Sequence, residues 1–347
     1  MKDIKIGNIL IGTTHKPFII AEMSGNHNQS LERALNLVDA AAEAGVSALK
    51  LQTYTADTIT MNNGFTIKEK DSLRHGKTLY QLYEQAHTPR EWHKEIMERA
   101  KEKWILCFST PFDESAVDFL ESLDVPAYKI ASFENNYFGL LKRIAQTGKP
   151  VIMSTWMTNI SDIDKAVRVL RENWCKDIIL LKCTSTYPAS PENTNISTIP
   201  HMAETFKCHV GLSDHTMGIW VSVASVALWA RVIEKHFTLR RADGWVDSTF
   251  SLEPEELKSL VIETERAFLS IGEVNYGIQD SEQNSLKHKR SIYINKSIKK
   301  WEKFSKDNIR VIRPWDGISP EYYDLLIWKT ANSDMEGWKP LTRENIL

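Results

Sequence analysis

Two histidines, His215 and His236, each follow a short strand-like run, HVGLSD before the first and RVIEK before the second. If the two runs are neighbouring parallel strands, their backbones lie about 4.8 Å apart, so both imidazoles can face one ion or one substrate. Two imidazoles with a carboxylate and water suit a divalent ion that keeps open positions for a substrate. Glu22, Glu134 and Asp247 are carboxylates available as further oxygen ligands. The alternative is a pair of histidines that only stabilise the fold.

Two lysines, Lys50 and Lys129, also stand near the ends of apolar strand-like runs. A lysine that faces a core without a partner is costly, so each one alone suggests a snorkelling side chain or half of a structural ion pair. Together with hydroxyl groups at the same ends, they predict a binding site for an anion that carries phosphate and carboxylate groups. The polar residues that accompany them are Gln52, Thr110, Ser132, Ser154, Ser185 and Ser213.

Eight strand-like runs alternate with helix-like segments. The runs span residues 18–23, 48–54, 104–110, 127–132, 151–155, 177–184, 209–214 and 231–238. Most segments between them carry apolar residues at helical spacing, with predicted N-caps at Ser30, Thr88 and Ser161 and predicted ends at Gly148 and Gly272. This alternation predicts an α/β fold, a (β/α)8 TIM barrel with its active site at the carboxyl ends of the strands. An open α/β sheet is the alternative.

The chain is predicted to contain more than the barrel. A hairpin that turns at Gly12 and Thr13 is predicted at its beginning. A polar, aperiodic segment follows the last predicted helix and indicates a linker, and short strands with turn residues follow the linker. The predicted parts are a barrel domain with the hairpin at 1–272, the linker at 273–289 and a small β-rich domain at 290–347.

Composition narrows the class of partner. The 43 basic and 45 acidic residues are interspersed and give a net charge of -2, which favours neither nucleic acid nor an anionic membrane surface. The first residues lack the apolar core of a signal peptide, and no stretch reaches the length of a membrane span, so a cytoplasmic location is expected. Cys107 and Cys183 lie in apolar runs and are predicted to be reduced, buried thiols. A small-molecule substrate is therefore expected.

A resemblance to a known family rests on stretches between residues 18 and 260. They read FIIAEMSGNHNQSLERAL, ALKLQTY, FSTPFD, YKIASFE, TGKPVIMST, CTSTYP, GLSDHT, EKHFT and SLEPEEL. These stretches resemble the sialic acid synthase family, whose members condense phosphoenolpyruvate with an acetamido sugar aldehyde. RSIYINKSI and IRPWDGISPEYY resemble the antifreeze-like (SAF) domain that follows the barrel in that family.

Some stretches favour one branch of the family. LQTYTADTIT, LYQLYEQAHTPREWH, ASFE and RADGWVDSTFSLEP most resemble pseudaminic acid synthases. The resemblance therefore implies 2,4-diacetamido-2,4,6-trideoxy-L-altrose as the sugar rather than N-acetylmannosamine. The alternatives are an N-acetylneuraminate or legionaminic acid synthase, another metal-dependent aldol-type enzyme that uses phosphoenolpyruvate or pyruvate, and a catalytically silent sugar-binding protein.

The resemblance also implies a role for each candidate residue. His215 and His236 match the ligands of a divalent metal, with Mn²⁺ preferred to Mg²⁺ or Co²⁺. The positions that match residues around the metal and the sugar are Glu22, Glu134, Tyr187 and Asp247. The positions that match phosphoenolpyruvate-binding residues are Lys50, Thr110, Lys129, Ser132, Ser154, Ser185 and Ser213. A domain-swapped homodimer is implied as well, with Arg313 of one subunit reaching the sugar in its partner.

The tryptophans depart from this pattern. Of the 11 tryptophans, only Trp92 stands where the family pattern leads us to expect one. The others stand where that pattern carries glycine or where the local sequence indicates a turn: Trp104, Trp156, Trp174, Trp220, Trp229, Trp245, Trp301, Trp315, Trp328 and Trp338. Counting these ten with the 15 glycines gives 25, against roughly 24 expected at a usual frequency of about 7%. The hypothesis is that UGA codons meaning glycine are written here as tryptophan.

Overall fold

The computed structural model describes residues 1–62, 64–67, 76–245 and 247–347. It divides into two compact units, Met1–Gly272 and Glu273–Leu347. Within the described ranges, no helix is long and apolar enough to cross a membrane.

A hairpin begins the first unit. Strands β1 (Ile4–Ile6) and β2 (Ile9–Ile11) pair antiparallel, with Ile6 opposite Ile9. The two-residue turn is therefore Gly7–Asn8, and the predicted turn at Gly12 and Thr13 is wrong. Gly7 has φ +57°, a left-handed backbone that glycine adopts without a steric penalty and that a tight hairpin needs.

Eight parallel strands close into a barrel, which confirms the predicted TIM barrel and excludes the open sheet. They are β3 (Phe18–Glu22), β4 (Ala48–Thr53), β5 (Leu106–Pro111), β6 (Tyr128–Ile130), β7 (Val151–Ser154), β8 (Ile178–Cys183), β9 (His209–Asp214) and β10 (Val232–His236). Each strand pairs with the next, and β10 pairs with β3 to close the ring. Every residue of β3, β7, β9 and β10 is buried. Helices cover the outer face of a parallel barrel, so both faces of these strands are enclosed by protein.

Helices connect the strands. They are α1 (Leu31–Ala44), α2 (Ala56–Ile59), α3 (Leu79–Ala86), α4 (Arg90–Glu102), α5 (Glu114–Ser122), α6 (Phe138–Ala145), α7 (Ile160–Glu172), α8 (Thr198–Phe206), α9 (Trp220–Ala227) and α10 (Pro254–Ile271). Ser30 caps α1 and Gly272 ends α10, as predicted. By contrast, α6 ends at Ala145, three residues before Gly148.

Two predicted helix caps are wrong. The residue before α4 is Pro89, and the Thr88 hydroxyl lies 3.3 Å from His27 Nε2 instead of capping the helix. The cap of α7 is Asn159, whose side chain accepts a hydrogen bond from the backbone of Asp162, so Ser161 lies inside the first turn. Asparagine is as good a cap as serine, and composition alone does not choose between neighbouring candidates.

The second unit has its own small core. Strands β11 (Ser291–Ile294) and β12 (Ile309–Ile312) pair antiparallel, a 3₁₀ segment spans Asp280–His288, and a short helix α11 spans Tyr323–Leu326. The core includes Ile292, Ile294, Phe304, Ile309 and Leu341. Its likeness to the antifreeze-like domain stays a prediction.

Candidate active site

Most of the predicted site residues of the barrel lie at or just beyond the carboxyl ends of its strands. Glu22 ends β3, Ser154 ends β7 and His236 ends β10. In the sheet register His236 lies beside Glu22, and Glu22 lies beside Lys50. Because these residues are neighbours across adjoining strands, the barrel brings a predicted metal ligand and a predicted anion-binding residue together.

Four buried charged residues alternate in sign at this end of the barrel. Lys50 forms an ion pair with Glu22, and its Nζ lies 3.9 Å from Glu234 Oε2. Lys129 Nζ lies 3.3 Å from Glu234 Oε1. All four are 5% exposed or less, so each charge depends on its partners for stabilisation. Both lysines are thus ion-paired, as each lysine taken alone suggested. Both also lie at the end of the barrel that carries the predicted site residues.

The charges in this cluster affect one another. Although burial alone would raise the pKa of Glu234, the ammonium groups of Lys129 and Lys50 lower it to about 2. Burial lowers the pKa of Lys129, and nearby Lys50 lowers it further. Burial raises the pKa of Glu22, and the Glu234 carboxylate adds to that rise. Glu234 is therefore the fixed negative charge that holds the two lysines in place.

Side-chain hydrogen bonds extend the cluster. Lys50 Nζ donates to Thr110 Oγ1 at 3.1 Å. Gln52 Nε2 donates to Glu22 Oε1 at 2.8 Å and to Ser24 Oγ at 3.2 Å. Gln52 therefore holds a carboxylate in position, and the substrate contact predicted for it stays a prediction.

The hydroxyl groups that were predicted to bind the anion differ in their hydrogen-bond partners. Ser154 Oγ is buried without a hydrogen-bond partner among the described residues. Ser213 Oγ donates to Glu234 at 3.1 Å, and Ser132 Oγ accepts from the backbone N–H of Trp156 at 3.1 Å. Ser185 Oγ lies 3.2 Å from Cys183 Sγ. An unpartnered buried hydroxyl is costly unless a ligand or water completes it, so the Ser154 hydroxyl has the capacity to hydrogen-bond one of these.

The two histidines lie together, with ring centroids 5.2 Å apart. His215 Nδ1 lies 3.0 Å from the Thr184 carbonyl oxygen, an arrangement that leaves Nε2 to act as a ligand. His236 Nδ1 is buried without a hydrogen-bond partner in the part of the chain described, and it lies 3.9 Å from Asp247 Oδ2. An unsatisfied imidazole nitrogen beside a carboxylate and a second imidazole fits a divalent ion.

The described residues contain no group of three or more His, Cys, Asp or Glu side chains placed to hold a metal ion. An ion would therefore be held by the two imidazoles, with oxygen atoms from water or substrate completing its coordination. Asp247 lies at the edge of this place and also accepts a hydrogen bond from Ser24 Oγ.

Aromatic rings surround the histidines. Tyr187 packs edge-on against His215 with centroids 4.8 Å apart, and it is 47% exposed. Phe250 lies 4.9 Å from His236 and 5.1 Å from Tyr187. The rings keep water from one side of the imidazoles, while the exposed Tyr187 can contact a ligand.

Glu134 is a buried carboxyl group near Lys129. Burial raises its pKa to about 7, although nearby Lys129 acts in the opposite direction. Its Oε2 is buried without a hydrogen-bond partner in the described ranges. A carboxyl group with a pKa near neutrality can accept or donate a proton at the working pH of an enzyme.

Comparison with known proteins assigns the family. The profile of the NeuB family matches residues 37–276. A pseudaminic acid synthase of Campylobacter jejuni is 43% identical over 339 residues, which cover 96% of this chain and 97% of that protein. The chain belongs to the NeuB family. The resemblance to sialic acid synthases is confirmed.

The chain is also similar to two synthases that are named for other products. An N,N'-diacetyllegionaminic acid synthase of Campylobacter jejuni is 37% identical over 328 residues, covering 92% of this chain and 97% of that protein. The crystal structure of an N-acetylneuraminic acid synthetase from Leptospira borgpetersenii superposes with a TM-score of 0.74 at 34% identity, covering 82% of this chain and 95% of that one.

Two residues of this NeuB-family site were missed by the sequence analysis. Glu234 lies in the EKHFT stretch, but a carboxylate two residues before a histidine gives no sign of pointing toward lysines on other strands. Phe250 lies in a polar segment between Asp247 and α10, and nothing in its neighbours predicts burial against the histidines.

Arg313 is not among the residues that the barrel brings together. It belongs to the second unit, just after β12, and is exposed there. Its role toward a sugar remains a prediction.

Proposed function

We propose that this NeuB-family chain condenses phosphoenolpyruvate with 2,4-diacetamido-2,4,6-trideoxy-L-altrose and water, giving pseudaminic acid and phosphate. The observation that carries the proposal is the alternating cluster of Glu22, Lys50, Glu234 and Lys129 beside two imidazoles at the strand ends. A silent sugar-binding protein has no need of two buried ammonium groups, whose burial is costly.

Phosphoenolpyruvate carries a phosphate and a carboxylate on neighbouring carbon atoms. In the proposal, Lys50 and Lys129 bind these two groups, because the lysines are the cations of the cluster and Glu234 keeps them charged and fixed. Ser154, with its unpartnered hydroxyl, binds the phosphate. The other proposed contacts are Thr110, Ser132, Ser185 and Ser213. A substrate held in this way has its methylene carbon oriented for reaction.

His215 and His236 would hold a divalent ion, Mn²⁺ in preference to Mg²⁺ or Co²⁺, with Asp247 and Glu22 close by. When bound, such an ion polarises the sugar aldehyde as a Lewis acid. The identity of the metal is a proposal from the resemblance alone, whereas the Nδ1 of His236, unpartnered among the described residues, supports the presence of an ion.

The remaining residues act on the sugar and on water. The methylene carbon of phosphoenolpyruvate forms the new bond to the aldehyde carbon, and a water molecule adds to the carbon that carried the phosphate oxygen. Cleavage of that carbon–oxygen bond releases phosphate. Glu134, with its pKa near 7, removes a proton from the attacking water, and the exposed face of Tyr187 contacts the sugar.

The choice of sugar rests on the comparison of two synthases from one species. The chain is 43% identical to the pseudaminic acid synthase of Campylobacter jejuni and 37% identical to its legionaminic acid counterpart. The ASFE stretch after Lys129 and the RADGWVDSTFSLEP stretch around Asp247 support the same branch.

The oligomeric state and the cellular location are also part of the proposal. We propose a homodimer in which the second unit, as an antifreeze-like domain, brings Arg313 of one subunit to the sugar in its partner. A cytoplasmic location is part of the same proposal, since phosphoenolpyruvate is a metabolite of the cytoplasm.

The test measures phosphate release from phosphoenolpyruvate with Mn²⁺ and one sugar at a time. The sugars are the altrose derivative, its stereoisomer that leads to diacetyllegionaminic acid, and N-acetylmannosamine. Both the chain as printed and a chain with glycine at the ten unusual tryptophan positions are assayed, and His236→Ala serves as the inactive control. We expect release that depends on the altrose derivative. Release with only another sugar would assign the chain to the branch of the family that uses that sugar. If neither chain released phosphate with any sugar, the proposal would be contradicted.

A further inference from the structure

Tryptophan occurs in this structure where the backbone favours glycine. Seven tryptophans have a left-handed backbone, with φ between 63° and 137°. They are Trp104, Trp174, Trp229, Trp245, Trp301, Trp328 and Trp338. In the described part of the chain, only seven residues of all other non-glycine types share this conformation. A Cβ atom crowds the backbone there, so glycine is the usual residue and a bulky aromatic residue is an outlier.

Three of these tryptophans end helices in one recurring motif. Trp104, Trp174 and Trp229 stand two residues beyond the last residue of α4, α7 and α9. In each case the tryptophan N–H bonds to the carbonyl three residues back, at 3.1–3.2 Å. The next residue then bonds to a carbonyl five residues back, at 3.0–3.1 Å. This pair of bonds is the Schellman motif, which normally has glycine at its left-handed position.

The end of α1 provides an internal comparison. Gly45 has φ +85°, its N–H bonds to Ala42, and the next N–H, from Val46, bonds to Ala41. The hydrogen-bond pattern is the same as at Trp104, but the residue is glycine. One fold therefore closes equivalent helix ends with glycine in one place and with tryptophan in three others.

Most of these tryptophan side chains bury little surface that could offset the strain, although Arg231 lies over the Trp229 ring at 5.2 Å and Lys300 over the Trp301 ring at 5.3 Å from the ring centroid. The indole of Trp104 is 95% exposed, and those of Trp174 and Trp328 are each 72% exposed. Buried aromatic side chains normally contribute large apolar contacts, and these side chains do not. Trp245 is unfavourable for a different reason. Its Nε1 is buried close to Gly25 without a hydrogen-bond partner among the described residues.

Trp92 is different from the other ten. It lies inside α4, where the backbone is helical, and packs against the core of the barrel. Its ring contacts His27 edge-on with centroids 5.5 Å apart. This is an ordinary tryptophan environment, so the anomaly does not extend to every tryptophan.

We infer that the ten unusual positions carry glycine in the protein as its own cells make it, with the codon UGA read there as glycine. One difference in decoding accounts for all ten positions, whereas ten separate substitutions would each need a reason. The left-handed backbone supports seven positions directly. For Trp156, Trp220 and Trp315 the inference rests on the sequence pattern, which has glycine or a turn at these places, and Trp220 is 75% exposed at the start of α9.

Two of the positions bear on the site. Trp156 follows the end of β7, donates its backbone N–H to Ser132, and lays its indole against Phe133 with centroids 5.2 Å apart. Trp245 lies two residues before Asp247. Glycine at both positions removes two indoles from the substrate side of the barrel while leaving the backbone contact to Ser132 intact.

The first test is peptide mass spectrometry of the protein isolated from its own cells. We expect glycine at the ten positions and tryptophan at position 92, which is the internal control. Tryptophan at the three Schellman positions would overturn the inference, whatever the enzyme does.

The second test needs no native source and no substrate. A recombinant chain with Trp104→Gly, Trp174→Gly and Trp229→Gly is compared with one that has alanine at the same places. Both lose the indoles, but only glycine relieves the backbone, so we expect the glycine chain to melt higher than the alanine chain, by about 2 °C for each position. Trp92→Gly should melt lower than its parent. Equal melting of the glycine and alanine chains would contradict the inference.

Discussion

At the scale of single residues, Glu234 places a negative charge where the substrate anion must also bind. It contacts Lys129 and lies near Lys50, and the two ammonium groups keep its pKa at about 2. The carboxylate is therefore ionised at any physiological pH. It fixes both lysines before a substrate arrives, so that the cost of ordering two long side chains is met during folding and not during binding.

Glu134 is the residue whose charge state changes near neutrality. Burial raises its pKa to about 7, so the folded protein holds it protonated at pH 5 and ionised at pH 8. If it acts as a base, kcat/KM rises with pH through about 7. Glu134→Gln removes that inflection and lowers kcat by about 10²-fold or more, the usual contribution of such a group. A pH–rate profile of both proteins tests this.

The pH dependence of the melting temperature provides a second test of Glu134→Gln. Because the folded pKa of Glu134 lies above its unfolded value, the stability linked to this group falls as pH rises toward and through 7. The advantage in melting temperature of Glu134→Gln over the parent should therefore grow between pH 5 and pH 8. Glu114→Gln, at an exposed carboxylate, is the matched control for the chemical change from Glu to Gln. A profile unchanged by Glu134→Gln would contradict the assignment.

At the scale of strands, the residues just before the two histidines hold β9 and β10 together. Lys235 Nζ donates to Asp214 Oδ2 at 2.8 Å and to the Thr216 carbonyl at 2.6 Å. Asp214 also accepts from the N–H of Thr216 and from the hydroxyl of Ser222. The side chains of Lys235 and Asp214 are each only 1% exposed. This pair fixes the loop that carries His215 against the strand that ends in His236.

Breaking this pair should destabilise the barrel strongly. Lys235→Met leaves a buried carboxylate without its cation, and we expect it to lower the free energy of unfolding by about 3–5 kcal/mol. Adding Asp214→Asn should recover part of the loss. Arg168→Met, which breaks the exposed pair with Asp164, should lower the free energy of unfolding far less, because solvent screens an exposed pair. Denaturant unfolding measures all four proteins, and similar losses for Lys235→Met and Arg168→Met would contradict the prediction.

The strands were the most predictable elements of the chain. Most barrel strands are short apolar runs that the sequence displays directly, because helices enclose the outer face of a parallel barrel. The ends of elements were harder to predict, because Gly7 and Gly12 both allow a turn and the structure chooses the one that pairs Ile6 with Ile9. Contacts across the barrel, such as that of Glu234 with Lys129, depend on closure and have no local signal.

At the scale of the whole molecule, the chain consists of two units with separate cores. The barrel unit holds the charged cluster and both histidines. Arg313 lies in the second unit, at the end of a strand and exposed. A function for Arg313 in catalysis therefore requires the second unit of one subunit to serve a barrel, and the proposed homodimer assigns it to the barrel of the partner.

Mixed dimers test this arrangement. His236→Ala removes a proposed metal ligand and Arg313→Ala removes the proposed sugar contact, so each variant alone should have little activity. When the two are co-expressed, a mixed dimer pairs an intact barrel with an intact Arg313 of the partner subunit, and roughly a quarter of all sites should work. If Arg313 served its own barrel, no mixed dimer would contain a complete site. Co-expression of His236→Ala with His215→Ala is the control, because both changes lie in the barrel and cannot complement. Activity in the first mixture that does not exceed the sum of its components would contradict the exchange of Arg313 between subunits.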